Sequence, residues 1–173
     1  MAVVKINLYN NRTLSCVLLT SVKNTSYLKK QLITGKLKCA LVKPSLIVDL
    51  FQLKIAANKS VLADSLGKLT TKSVYTEILF NLSISKNISQ SLVKFGIDDT
   101  DSDLLVLSFG DDSEVADIIM QIEGDTMDMA KLKDFTNENV VRKTYKISDS
   151  ELSASSLINL VVSKISTKDF VNF

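Results

Sequence analysis

The stretch from Asp49 to Gly96 constrains the fold most, because it holds four consecutive elements whose ends are marked in the residues themselves. Asp49 with Gln52 three positions on is a capping-box variant, the carboxylate accepting from free amides while the glutamine reaches back. A helix is therefore predicted from Leu50, closed by Gly67, since glycine takes the left-handed position after a last turn at little cost. Leu50, Leu53, Ala57 and Val61 form one apolar stripe and Phe51, Ile55, Leu62 and Leu66 a second, so this helix is expected to be gripped from two sides. After the basic turn GKLTTK, the run VYTEILFNL alternates Thr76, Ile78, Phe80 and Leu82 against Tyr75, Glu77, Leu79 and Asn81, the pattern of a strand. Ile88, Leu92 and Phe95 then recur at helical spacing up to Gly96.

The flanks add strands and helices in mixed order. Residues 3–9 and 13–20 read as a hairpin about Asn10, Asn11 and Arg12, and Asn24 or Thr25 caps a short helix ended by Gly35. KLKCALV, interrupted by Pro44, is a candidate strand, and DLLVLSF, apolar on both faces, a central one. A helix from about Ser113, ended by Gly124, carries Val115, Ile118, Ile119 and Ile122. Residues 127–135 are ambiguous, Thr136 is a possible cap, and TYKI at 144–147 a possible edge strand. In the last helix, about Leu152 to Ile165, one face holds Ile158, Val162 and Ile165, and another Leu157, Leu160 and Val161 with Lys164 beside them. That second face is either docked on the domain's own core, the commoner outcome, or an exposed partner-binding patch. No linker or repeat interrupts residues 1–173, so one α+β domain is expected, a mixed β-sheet packed with helices.

Chemistry is excluded more readily than assigned. With no histidine, no Ser-His-Asp arrangement, Cys-His pair or histidine metal site can form. Cys16 and Cys39 sit in apolar runs and read as buried, reduced thiols. Asp99, Asp101 and Asp103 have calcium-loop spacing, but Leu104 and Gly110 stand where the loop needs glycine and glutamate. Gly67-Lys68 lacks the upstream glycine of a phosphate loop. Glu77 could serve as a general base, although a solvent-facing residue paired with a lysine is the commoner case. No enzyme activity, cofactor or metal is expected. Nor is a membrane partner, since no apolar run approaches the roughly 20 residues a spanning helix needs and no export leader is evident.

Binding is what remains. Residues 1–97 hold fourteen bases against three acids, whereas residues 98–130 hold eleven acids and no base. Such segregation suggests a polyanion partner for the basic part, unless folding interleaves the two blocks. Lys54, Lys59, Lys68 and Lys72 cluster about the long helix and its turn, with Tyr75 and Ile88 near enough in sequence to offer a surface to an unpaired base.

The segments VKN (22–24), LVKPSLIVDLFQLKIAANKSV (41–61), LGKLTTKSVYTEILFNLSISKNIS (66–89), LVKFGI (92–97), RKTYKIS and ISTKD resemble the PRPK-binding protein family, small regulatory subunits of the KEOPS (EKC) complex. The resemblance spans nearly the whole chain and is loosest from Asp111 to Asp128. It implies a non-enzymatic protein of the cytoplasm and nucleus that binds the kinase-like ATPase of that complex and reaches the remaining subunits indirectly. It also implies a part in making threonylcarbamoyl-adenosine beside the tRNA anticodon, with the tRNA recruited by its 3′ CCA end. Lys59, Lys68, Lys72, Asn87 and Ile88 match the family's tRNA-contacting region, and Leu157, Leu160 and Val161, with Lys164 alongside, its kinase-docking face. The alternative is a regulator of the kinase alone, its lysines merely solvated.

Overall fold

The computed structural model describes residues 3–173. Alternation in the first two runs produces a hairpin, β1 (Val4–Asn7) against β2 (Thr13–Thr20), with Ile6 opposite Leu14 and Val4 opposite Cys16. Asn10 and Asn11 turn it at φ 61° and 57°, the left-handed region that asparagine enters more readily than most residues. β3 (Ala40–Val42), β4 (Leu104–Ser108) and β5 (Asp125–Met127) complete the sheet in the order β1-β2-β4-β3, with β5 against the end of β2. β4 is central and fully buried, as its unbroken apolar run predicts. Every pairing among the described strands is antiparallel, which corrects the expected mixed sheet while the α+β class stands. The outer side of β3 is met by the turn after a helix: Val42 bridges Gly96, and Lys43 N donates to Phe95 O at 2.9 Å.

Strand alternation sends two sets of side chains into two cores. Leu14, Cys16 and Leu18 join Ala40, Val42, Leu105 and Leu107 in the larger one, with Leu53, Ala56, Ala57 and Val61 of α2 (Leu50–Ser65) and Ile78 and Leu82 of α3 (Val74–Leu82). Phe95 of α4 (Ile88–Phe95), Val141 of α7 (Glu138–Thr144), and Val161 and Ile165 of α9 (Leu157–Thr167) close it. Val17, Leu19, Leu41, Leu104 and Val106 meet Leu28 of α1 (Thr25–Ile33) and Val115 and Ile118 of α5 (Asp112–Met120) in the other. The cysteines point into different cores, and burial pushes both thiols up to about 12, which leaves them protonated and inert.

The largest departure from expectation is at 74–82, a helix and not a strand. Six of its nine residues are apolar, so period 2 and period 3.6 fit it equally, and the ends decide. Ser73 and Thr76 form a reciprocal capping box, and buried Glu77 accepts from Thr71 N and Oγ1, both at 2.8 Å. Glu77 is thus a structural tether, neither solvent-facing nor poised as a base. The last predicted helix is broken in two, α8 (Asp149–Ala154) and α9, because Ser156 caps a new start. Asn137, not Thr136, caps α7; Thr136 instead donates to Ile47 O at 2.6 Å. Residues 144–147 form no strand, and Gly124 lies beyond the end of α5 at Met120. The ambiguous 127–135 stretch becomes the end of β5, a turn and α6 (Leu132–Phe135).

Asp49 caps α2 as predicted, its Oδ1 accepting from Phe51 N at 2.8 Å, while Gln52 Oε1 reaches one residue further back, to Val48 N. Gln52 is fully buried; its Nε2 donates to Leu46 O at 3.0 Å and to Tyr145 Oη at 2.9 Å, and Tyr145 Oη donates to Leu82 O at 2.5 Å. Lys168 is buried too, donating to Phe80 O at 2.5 Å and Ser85 O at 3.3 Å over the Phe80 ring. It satisfies carbonyls at and beyond the C-terminus of α3.

Tyr145→Phe leaves buried Gln52 and Leu82 groups short of partners and should cost about 1–3 kcal/mol, read as a lower urea midpoint. Burial first, and Lys59 next, pull the Lys168 ammonium down to about 8 from the ordinary 10.5. Between those values the unfolded chain binds more protons, so this group makes stability rise with pH across that window. Lys168→Met should flatten that part of the stability profile.

Candidate functional site

Folding answers the charge question in part. Lys5 pairs with Asp112 at 2.6 Å, Lys29 with Asp99 at 3.7 Å, and Lys43 with Asp98, whose carboxyl its hydrogen bond holds below the usual range. The acidic block thus neutralises lysines of β1, α1 and the end of β3. Lys54, Lys68, Lys72, Lys86, Lys94 and Lys146 make no ion pair among the described residues.

The five residues matched to an RNA-contacting region do not form one cluster. Lys59 is a brace between α2 and α9, paired with Asp169 at 2.8 Å and donating to Ile165 O at 3.0 Å, an acidic partner that the sequence reading, which set only Asp64 against these lysines, did not foresee. Lys68 and Lys72 are exposed in the turn that Gly67, at φ +63°, opens after α2. Asn87 caps α4, accepting from Gln90 N at 3.0 Å, and Ile88 is exposed on its first turn. Since α3 has nine residues, Lys72 before it and the 83–87 turn after it lie about 13 Å apart along its axis.

A groove of about 490 Å³ adjoins Asn87 and Ile88, and Lys86, Gln90, Lys94 and Lys146 line it. Its other side is the chain's own Val171–Phe173: Lys86 Nζ donates to Asn172 Oδ1 at 2.8 Å and Lys146 Nζ to Phe173 O at 2.7 Å. Sequence reading missed Lys86, Lys94 and Lys146 as members of this site. Lys94, near the end of a helix capped by Asn87, was within reach of spacing arguments, whereas Lys146 comes from an element read as a strand.

The proposed kinase-docking face divides. Val161 is fully buried and belongs to the chain's own core. Lys164 bonds Glu151 at 3.0 Å and Lys146 O at 3.1 Å and lies 5.3 Å from the Phe173 ring centroid, so it too is engaged internally. Hydrogen bonds from Ser148 and then Lys164 hold the Glu151 carboxyl down at about 2. Leu157 and Leu160 are half-buried against the core, and Ile158 and Val162 are half-buried outside it. The second stripe of α2 is held only at Ile55, which packs against the larger core; Phe51, Leu62 and Leu66 are exposed, which corrects the expectation of a helix gripped along both stripes.

The chain matches the family model described as kinase binding protein CGI-121 over residues 19–169. It is 35% identical over 167 residues, 95% of each chain, to the EKC/KEOPS complex subunit TPRKB of Danio rerio. It is 30% identical over 136 residues to the EKC/KEOPS complex subunit cgi121 of Aspergillus fumigatus, covering 73% of this chain and 72% of that one. To the CGI121 subunit of Kluyveromyces lactis it is 28% identical over 123 residues, 70% of this chain and 77% of that one. A match of this extent, over a fold whose helices leave an apolar stripe and a basic end uncovered, shows that the chain belongs to the CGI-121 kinase-binding-protein family.

Proposed function

We propose that this chain is a non-catalytic subunit of the EKC/KEOPS complex in the cytoplasm and nucleus, where it binds the kinase-like ATPase and serves threonylcarbamoyl-adenosine modification of tRNA. The observation that carries the reading is near end-to-end similarity to a protein named as a subunit of that complex, within a family named for kinase binding. Half-buried Leu157 and Leu160 on α9 are the docking residues, and burying them against a partner supplies the attraction. The tRNA 3′ end is held at the exposed Asn87–Ile88 turn, with Lys68 and Lys72 as a second, separate phosphate contact. Tethering the tail raises the local concentration of the anticodon arm at a distant transferase, so no bond need be made on this subunit.

The second reading, a regulator of the kinase without RNA, is favoured by one observation: Lys59 is spoken for by Asp169, and the remaining four residues divide between the two ends of α3.

Leu157→Glu should weaken co-purification with the kinase subunit at least about tenfold while the melting midpoint holds; a fall in midpoint instead would return this residue to the core. Lys68→Glu with Lys72→Glu should weaken tRNA binding and reduce the slope of log K against log salt by about 1.4, the value for two lost single-strand phosphate contacts. Unchanged RNA affinity in that variant and in Ile88→Glu would leave the kinase-only reading standing.

A further inference from the structure

Three helices of this chain end in the same way. After α1, Gly35 N donates to Leu32 O at 3.1 Å and Lys36 N to Gln31 O at 3.0 Å, with Gly35 at φ +71°. After α2, Gly67 N donates to Asp64 O and Lys68 N to Ala63 O, with Gly67 at φ +63°. After α7, Lys146 N donates to Lys143 O and Ile147 N to Arg142 O, with Lys146 at φ +52°. All three are Schellman ends, and their left-handed position is glycine's because a Cβ there is strained. Lysine occupies the third, and backbone strain at a position glycine would fill freely points to a use for the side chain.

That side chain lines the groove beside Asn87–Ile88, together with Lys86 and Lys94 and with no acid among the lining residues. Thr144 Oγ1, of another lining residue, is buried and has no hydrogen-bond partner among the described residues. Three ammonium groups suit a phosphodiester, and exposed Ile88, two residues along the chain from Lys86, offers an apolar surface to a neighbouring unpaired base. Val171–Phe173 stand in the way: Asn172 and Phe173 oxygens occupy the Lys86 and Lys146 donors, and the Phe173 ring lies against Lys164.

We propose that the Lys86–Lys94–Lys146 groove is the phosphate track of a single-stranded RNA end, and that Val171–Phe173 are an internal competitor that must lift before the phosphates reach Lys86 and Lys146. This rests on the RNA reading above. A segment that occupies the site most of the time lowers apparent affinity by the fraction of molecules left open, so its release reads as tighter binding.

The test is fluorescence anisotropy of a labelled single-stranded RNA ending in CCA, titrated with the unsubstituted protein and with its Val171→Gly, Asn172→Gly, Phe173→Gly variant. The triple variant should bind roughly three- to tenfold tighter. Adding Lys146→Gly to it should abolish that gain, while Lys146→Gly alone keeps or raises the melting midpoint. Asn172→Ala, a milder change, should give a smaller gain in the same direction. Equal affinity of the unsubstituted protein and the triple variant, with Ile88→Glu still weakening both, overturns the competitor and leaves the RNA reading intact. A triple variant unaffected by Lys146→Gly overturns the phosphate track. Binding by none of these proteins overturns the RNA reading and this proposal together.

Discussion

The hydrogen-bonded chain from Gln52 through Tyr145 to Leu82 O fixes how the helices of the larger face sit. It is fully buried, so each member depends on the others, and a partner lost there is not readily replaced by bulk solvent. One side chain on α2, one at the end of α7 and one carbonyl at the end of α3 meet there, which locates the two turns that border the basic groove. Lys168 works on the same helix end from the opposite direction, taking up Phe80 O and Ser85 O. The 83–87 turn and the 145–147 turn, which both contribute lining to the groove, are therefore held by buried polar groups and not by loop chemistry alone.

Electrostatics then sorts the surface. Acids from the 98–112 region fold back on lysines near β1, α1 and β3, which makes that side of the molecule ordinary mixed-charge surface. Around α3 and α4 no comparable screen exists among the paired residues, so the net charge of +2 for the whole chain understates the field at that end. Lys59 and Lys164 show the limit of counting charges along a sequence: both lie beside the predicted surfaces, and both are committed to joining α9 to the rest of the fold.

Much of the architecture was legible where two independent signals agreed. β2 shows alternation with turn residues at both ends, α2 has a cap and a glycine stop, and β4 is apolar on both faces; all three form where expected. The 74–82 segment was misread because its side chains divide into two alternating sets as in a strand, while its decisive feature, the Ser73–Thr76 box with Glu77 folded back on Thr71, is a side-chain network. For the site, Ile88 was picked out by its nearness in sequence to the basic turn, and Asn87 only through the family resemblance. The Lys146 side of the groove was not, since a lysine at a left-handed helix end leaves no mark in composition or periodicity.

The short β3 strand has its outer side met by Gly96 and Phe95. An open strand edge would invite any extended peptide to add itself by backbone pairing, a promiscuous mode that reads little of the visitor's sequence. With that border sealed by the chain's own turn, recognition on this flank falls to side chains on helices. Such contacts can be tuned one residue at a time without disturbing the sheet beneath.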